Sequence, residues 1–241
     1  MRNLIITCLL LCLVGSTYAQ KKRKKEKTTQ APTYRNEWLY GLNFNTNGGL
    51  LGGFMFKYGR TLKDRHFHGF SIEMVNVKHP KERRFPIPAT GASFIPGKSN
   101  FLYIVRPLYN REYTLFKKAR EQGVQVNAML AAGPSFGIVA PYLVEINQRQ
   151  IVQYDPEIHN PNDVTGLGSF AEGIGQSNIQ IGGALKGSLF FELGTGNRNV
   201  TGFEVGFTLD AYQNEVEILP LSKNRNVYTA GFVTFFYGIR K

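Results

Sequence analysis

The chain has 241 residues, 31 aromatics, 26 glycines, two cysteines and a formal charge of +12. At 42% hydrophobic residues it is no disordered polyelectrolyte, and two cysteines are too few for a disulfide-stapled mini-domain. The aromatic and glycine excess instead suits pleated strands and tight turns, and one all-β domain of this length is ordinary.

Residues 1–19 have the order of a secretory signal peptide. A single charge, Arg2, precedes an apolar run from Leu4 to Val14, and Thr17 and Ala19 occupy the small-residue positions of a cleavage site. Both Cys8 and Cys12 lie within that run. Cleavage after Ala19 would therefore leave a mature chain without thiol chemistry or thiolate metal ligands.

Residues 20–35 read as a basic, disordered periplasmic tail. Lys21, Lys22, Arg23, Lys24, Lys25 and Lys27 place six positive charges in seven positions, and such blocks repel themselves. From Thr28 onward the chain holds 22 basic and 16 acidic residues, a balance of only +6. No aromatics interleave the basic run, so it lacks the stacking platforms of nucleic-acid binders. An exported chain also meets no genome, which leaves anionic lipid or an acidic envelope protein as the partner expected for it.

From residue 36 to residue 241 the apolar period is two, and eight strands can be drawn. The first starts at Asn36 and sets Trp38, Tyr40, Leu42 and Phe44 against Gly41 and Asn43. The second, Leu50–Thr61, follows an Asn47-Gly48 hairpin signal. His66–Val77 opposes Phe70, Ile72 and Met74 to Ser71 and Glu73. Asn100–Lys117 and Val124–Ile138 follow, containing Pro107 and Pro134, which predict bulges or strand ends there. Ile179–Leu193 and Asn199–Tyr212 alternate cleanly. Val227–Arg240 is aromatic on both parities, so its facing is undetermined.

The connections are short, short, long, short, long, short and moderately long. Apart from the first, short and long alternate, as they do between the turns and the outer loops of transmembrane barrels. The expected fold is all-β: an eight-stranded antiparallel up-and-down transmembrane β-barrel, with both termini on the short-turn side. A soluble lipocalin-like barrel shares the strand number, but charges on the face opposite the apolar one suit a narrow lumen better than a ligand cavity. Those charges are Lys57, Glu73, Arg106, Lys186, Glu192, Glu204 and Asp210, read as a lumenal network. Trp38, Tyr40, Tyr58, Tyr103, Tyr142, Tyr212 and Tyr237 lie near strand ends and are read as interfacial girdles.

The signal ending Tyr18-Ala19-Gln20, the Gly-rich first hairpin and the terminal Gly231-Phe232-Val233-Thr234-Phe235-Phe236-Tyr237-Gly238-Ile239-Arg240 resemble small outer-membrane barrels of Gram-negative bacteria. The similarity is to the OmpX/OmpA-like and porin-family barrels, and most to those of Bacteroidota. It implies an outer-membrane location, outer-membrane lipids as surroundings, and a terminal strand read by the insertion machinery. The chain departs from the commonest form by ending on Arg240-Lys241.

A search for chemistry yields little. His66 and His68 share a face but bring no third metal ligand beyond Asp64. His159, Asp155, Glu157 and Asp163 form a turn-like polar stretch, and Gly166 and Gly173 lack the strand–turn–helix context of phosphate loops. No cofactor, no nucleic acid and no enzymatic activity is expected. The expected role is structural or interactive, and the resemblance implies an accessory subunit of an envelope assembly or secretion complex that binds proteins through its long loops or basic tail. A narrow small-solute channel and a lipid-modifying enzyme are the alternatives.

Overall fold

The structure is a computed structural model that describes residues 35–63, 65–87, 90–117, 123–147, 150–193 and 198–241. The signal-peptide and basic-tail assignments, except for Arg35, and Asp64 lie outside the described residues.

Eight long strands form one closed antiparallel barrel. In chain order the first three are β1 (Asn36–Asn45), β2 (Gly49–Lys63) and β3 (His66–Val77). Two short strands, β4 (Phe85–Pro86) and β5 (Ser93–Phe94), precede β6 (Asn100–Phe116) and β7 (Gln125–Pro141). Three more, β8 (Leu143–Ile146), β9 (Gln150–Gln153) and β10 (Val164–Leu167), come before helix α1 (Phe170–Gly175). The barrel ends with β11 (Asn178–Leu193), β12 (Asn199–Val216) and β13 (Arg225–Arg240). Each long strand pairs with the next, and β1 closes on β13.

The registers fix the barrel's geometry. Cross-strand partners followed from Asn36 run through Arg60, His68, Arg111, Leu130, Gly187, Phe207 and Gly231. Thr46, ten residues beyond the start, donates its backbone N–H to Gly231 and closes the circuit. A stagger of ten over eight strands tilts them by about 40° from the axis, within the usual range for closed sheets.

Period-two alternation explains which side chains face in. Phe54, Phe70, Ile72, Leu130, Leu185, Phe207 and Phe235 are exposed on the outer wall, while Lys57, Glu73, Arg106, Lys186 and Glu204 are buried inside. This inverts the soluble pattern and defines a wall built for lipid. The aromatic-rich β13 resolves the same way: Phe232, Phe236 and Arg240 are buried, and Phe235, Tyr237 and Ile239 are exposed. Phe236 finds room inside because Gly202 stands beside it. A Cβ at Gly202 would come within 2.8 Å of the Phe236 ring and 2.1 Å of the Phe191 carbonyl.

The expectation for Pro107 and Pro134 needs correction. Neither starts a bulge or ends a strand. Val105 pairs with Phe136 and Tyr109 with Ala132, so the register is unchanged across the gap and the two prolines stand opposite each other. Facing prolines concentrate their missing donors at one point of one ladder, while their other edges still pair with Ile72 and Gly183.

The two long loops fold. β8, β9 and β10 make a three-stranded sheet and β4 and β5 a hairpin. Ile87, Phe94, Ile95, Tyr142, Val144, Ile146, Tyr154 and Val164 form a separate apolar core among them. These elements sit at the end of the barrel opposite the chain's described ends, as a cap. The six-residue α1 lies in a segment where no helical spacing is expected; it is too short to carry a periodic signal.

Candidate functional site: a plugged lumen beneath a folded cap

Three ionic groups hold the lumen, one at its centre and two toward the terminal end. At the centre, Glu73 of β3 pairs with Lys186 of β11 and accepts from Arg106 of β6 at 3.1 Å. Arg106 Nε lies 2.9 Å from Asp210 of β12, and Lys186 Nζ lies 2.8 Å from Glu204 of β12. Ser135 Oγ of β7 donates to Asp210 at 2.8 Å and meets the Tyr212 hydroxyl at 2.9 Å. Five strands thus converge on one network of three carboxylates and two cations. The Lys186 ammonium also sits over the Phe232 ring at 4.5 Å, which gives the inward phenylalanine an electrostatic role.

The second group lies toward the terminal end. Arg240 donates through Nε to Glu37 at 2.6 Å and through both Nη atoms to Glu192 at 2.8 and 2.6 Å. The fork-on-carboxylate geometry with Glu192 is the strong, directional form of this interaction. Lys57 pairs with Glu112 and lies 4.3 Å above the Phe190 ring. Between these groups Leu39, Met55, Leu108, Met129, Phe190 and Phe236 pack together. A cleft beside Lys57 and Glu112 measures about 10 Å³, no more than one water.

Toward the cap the lumen is closed by apolar groups. Val75, Val77, Leu102, Ile104, Tyr212 and Val216 pack with Ile218 and Leu219 of the β12–β13 connection. Asn224 fixes that connection: its side chain accepts from Ile218 N at 3.1 Å and donates to the Leu219 carbonyl at 3.1 Å.

The cap has its own buried ion pair, Lys98 with Glu82 at 2.8 Å, and Lys98 also lies 4.4 Å over Phe101. Burial pushes the Lys98 ammonium below its ordinary value, with Glu82 opposing that shift. Burial likewise pushes the Tyr142 hydroxyl up. Tyr142 accepts from Ile95 N at 3.2 Å and stacks on Phe94, while Phe101 at the top of β6 meets it edge-on at 5.1 Å. The cap is thereby seated on the barrel wall by aromatic contacts.

All seven lumenal charges named from the sequence are buried, but they do not form one network. Lys57 and Glu192 belong to the terminal groups, and the other five to the centre. Three participants escape the sequence reading. Glu37 and Glu112 share the inward parity of Asn43 and Arg106 and were legible by alternation alone. Arg240 was not, because β13 carries aromatics on both faces.

The girdle assignment also needs correction at two positions. Trp38, Tyr40, Tyr58 and Tyr237 lie on the outer wall near the terminal end, and Tyr103 stacks on Phe101 near the cap. Tyr142 and Tyr212 are buried, the first in the cap core and the second inside the barrel. Tyr142 follows a strand end but its loop folds inward over it. Tyr212 has the parity of Asp210 and so must point into the lumen.

His66 and His68 share the outer face but stand beside rings, His66 at 4.9 Å from Tyr113 and His68 at 6.3 Å from Tyr109. His159 Nδ1 accepts from Asp155 N at 3.1 Å within a turn. Among the described residues no three His, Cys, Asp or Glu side chains cluster as a metal site.

An apolar outer wall, a charged lumen and ordered loops define the class: a small eight-stranded antiparallel barrel of the transmembrane type. No family model matches the chain, and no curated protein matches it in sequence. Among solved structures, Neisserial surface protein A is similar at 9% identity and a TM-score of 0.43, covering 86% of this chain and 97% of its own. Ail, the attachment invasion locus protein of Yersinia pestis, is similar at 12% identity and a TM-score of 0.38, over 86% and 99% of the two chains. The outer membrane protein OprG of Pseudomonas aeruginosa is similar at 10% identity and a TM-score of 0.36, over 88% and 98%.

Proposed function

We propose that the protein is an outer-membrane interaction protein, a plugged barrel that anchors a folded cap outside the cell and serves as an accessory subunit of an envelope assembly. One observation carries this reading: the lumen is filled by ion pairs and apolar packing, while the connections above it form an ordered sheet with its own core. A conduit would need an open lumen, and an anchor would not. The outward apolar wall supports membrane residence, and outer membranes are where such barrels are inserted. In this reading the cap carries the recognition and the basic residues 21–27 supply a second, electrostatic contact. Catalysis has no part in it.

The test has two arms. In planar bilayers the refolded barrel is expected to show no steady conductance; stepwise openings would favour the small-solute channel. Affinity purification in mild detergent is then compared for the full chain, a chain without Lys21–Lys27, and a chain whose residues 143–167 are replaced by a short turn. A stoichiometric partner lost with either change supports the reading. Identical eluates from all three would end it.

A further inference from the structure

We propose that the outer wall carries a site for one anionic phospholipid of the leaflet at the terminal rim. Its phosphate would be held by Arg60, His68 and Arg111, and its acyl chains would lie in the adjoining groove. The inference rests on the barrel being embedded in a membrane but not on what the cap binds.

The registers make the site. Arg60 of β2 is the cross-strand partner of His68 of β3, and His68 is the partner of Arg111 of β6. Direct partners stand about 5 Å apart, so two guanidinium groups and an imidazole form one lateral row across three strands. All three have outward parity, and Arg60 and Arg111 are exposed. The carboxylates of these strands, Glu73 and Glu112, are both buried inside. Nothing on β2, β3 or β6 therefore neutralises the row from the outside.

Its height suits a headgroup. With a tilt of about 40°, the row climbs from the terminal rim and Arg111 stands about 10 Å above it. Tyr58, Phe70 and Tyr109 form the parallel row immediately above, in register with one another. Phe70 and Tyr109 meet edge-on at 5.4 Å, and the Arg111 guanidinium lies 5.8 Å from the Tyr109 ring. Cations below and aromatics above is the order of groups across a membrane interface.

The groove starts where the row ends. It occupies about 950 Å³ and runs from Tyr109 and Arg111 across four strands, walled by Leu130, Leu185, Phe207 and Leu209. Its floor is low because Ala132, Gly187 and Gly231 place almost nothing on the outer face. Two other outer-wall grooves, of about 690 and 380 Å³, are lined without a charged residue. Only the first of these three joins an apolar trough to a cationic end, and that combination matches a lipid with an anionic phosphate.

The experiment measures the heat-modification midpoint of the full chain in mixed micelles. Phosphatidylglycerol is expected to raise it by roughly 5 °C over phosphatidylcholine, the size of shift produced by a specifically bound ligand. R60Q/R111Q is expected to lose most of that difference, and R60K/R111K to keep most of it. Short-chain phosphatidylglycerol, which cannot fill the groove, is expected to act more weakly than the long-chain lipid. Equal midpoints in both lipids, a full response in R60Q/R111Q, or an equal effect of inorganic phosphate would each overturn the site. So would a response to lipopolysaccharide but not to phosphatidylglycerol. Folded mobility in phosphatidylcholine controls for folding of the variants. A folded, membrane-fractionating barrel that ignores headgroup charge removes only this inference, whereas a chain absent from membranes removes the proposed function as well.

Discussion

The barrel and its cap solve opposite problems with the same strands. In the barrel wall, apolar side chains point out and the ionisable ones are sealed within, so Glu73, Arg106, Lys186, Glu204 and Asp210 must satisfy one another. In the cap, Phe94, Tyr142, Val144 and Tyr154 turn inward and water covers the rest, as in a soluble domain. The cap buries the charged pair Lys98 with Glu82, where the barrel buries a network. The difference teaches where each part's stability comes from: the barrel depends on matched charges and a lipid bath, and the cap on ordinary apolar packing.

That contrast can be broken by substitution, and the centre of the barrel should suffer most. Arg106→Ala leaves Glu73 and Asp210 short of a buried cation, a loss expected to cost about 3–5 kcal/mol. Urea titration of the folded band should show it, while limited proteolysis of the cap should be little changed in whatever fraction folds. An unaltered midpoint would mean that the network does not hold the barrel.

Phe207 tests the wall from the other side. It is 76% exposed on the outer face near mid-height. Phe207→Arg is expected to cost about 2–4 kcal/mol for refolding into bilayers, since a lipid-facing cation loses its water there. A value near zero would indicate that this wall does not face lipid. Exposed loop positions such as Ile158, equally visible to solvent, should tolerate the same change.

The cap should respond to alkali. Burial raises the Tyr142 hydroxyl, so above the ordinary tyrosine value near 10 the unfolded cap loses a proton that the folded cap retains. Stability then falls as pH rises through that value. Protease sensitivity of the cap should increase above pH 10 in the native protein and increase less in Tyr142→Phe. Lys98 acts with the opposite sign, because its lowered value favours the folded cap as pH rises toward the ordinary lysine range. The difference between native protein and Tyr142→Phe isolates the tyrosine.

The smallest effect is expected at Ser135. Ser135→Ala removes its bonds to Asp210 and Tyr212 but leaves both with other neighbours, for a cost of about 1–2 kcal/mol. A much larger cost would mean that Asp210 depends on Ser135 as heavily as on Arg106.

Much of the wall was legible in the residues because strand parity is local. Glu73 lies between Ile72 and Met74, and no folding is needed to know that they face opposite ways. The strand limits follow within a few residues for the same reason. Parity also marks Tyr212 as inward, against the girdle reading that its position near a strand end suggests. It fails for β13, where Phe232 and Phe235 offer no contrast, and for Pro107 and Pro134, whose compatibility depends on standing opposite each other. The cap was hidden as well, since four-residue strands such as Leu143–Ile146 are too short to show a period.

The sequence by itself determined the order and number of the barrel strands and seven of the inward charges, because period-two alternation and connection length are properties of neighbouring residues. Tertiary structure alone decided who meets whom. Glu73 and Lys186, 113 positions apart, touch because the circuit of registers closes with a stagger of ten; so do Arg60, His68 and Arg111 on the outside. A shift of two residues in one strand pair would preserve every facing and break the contacts made across that pair, and closure of the whole barrel opposes it.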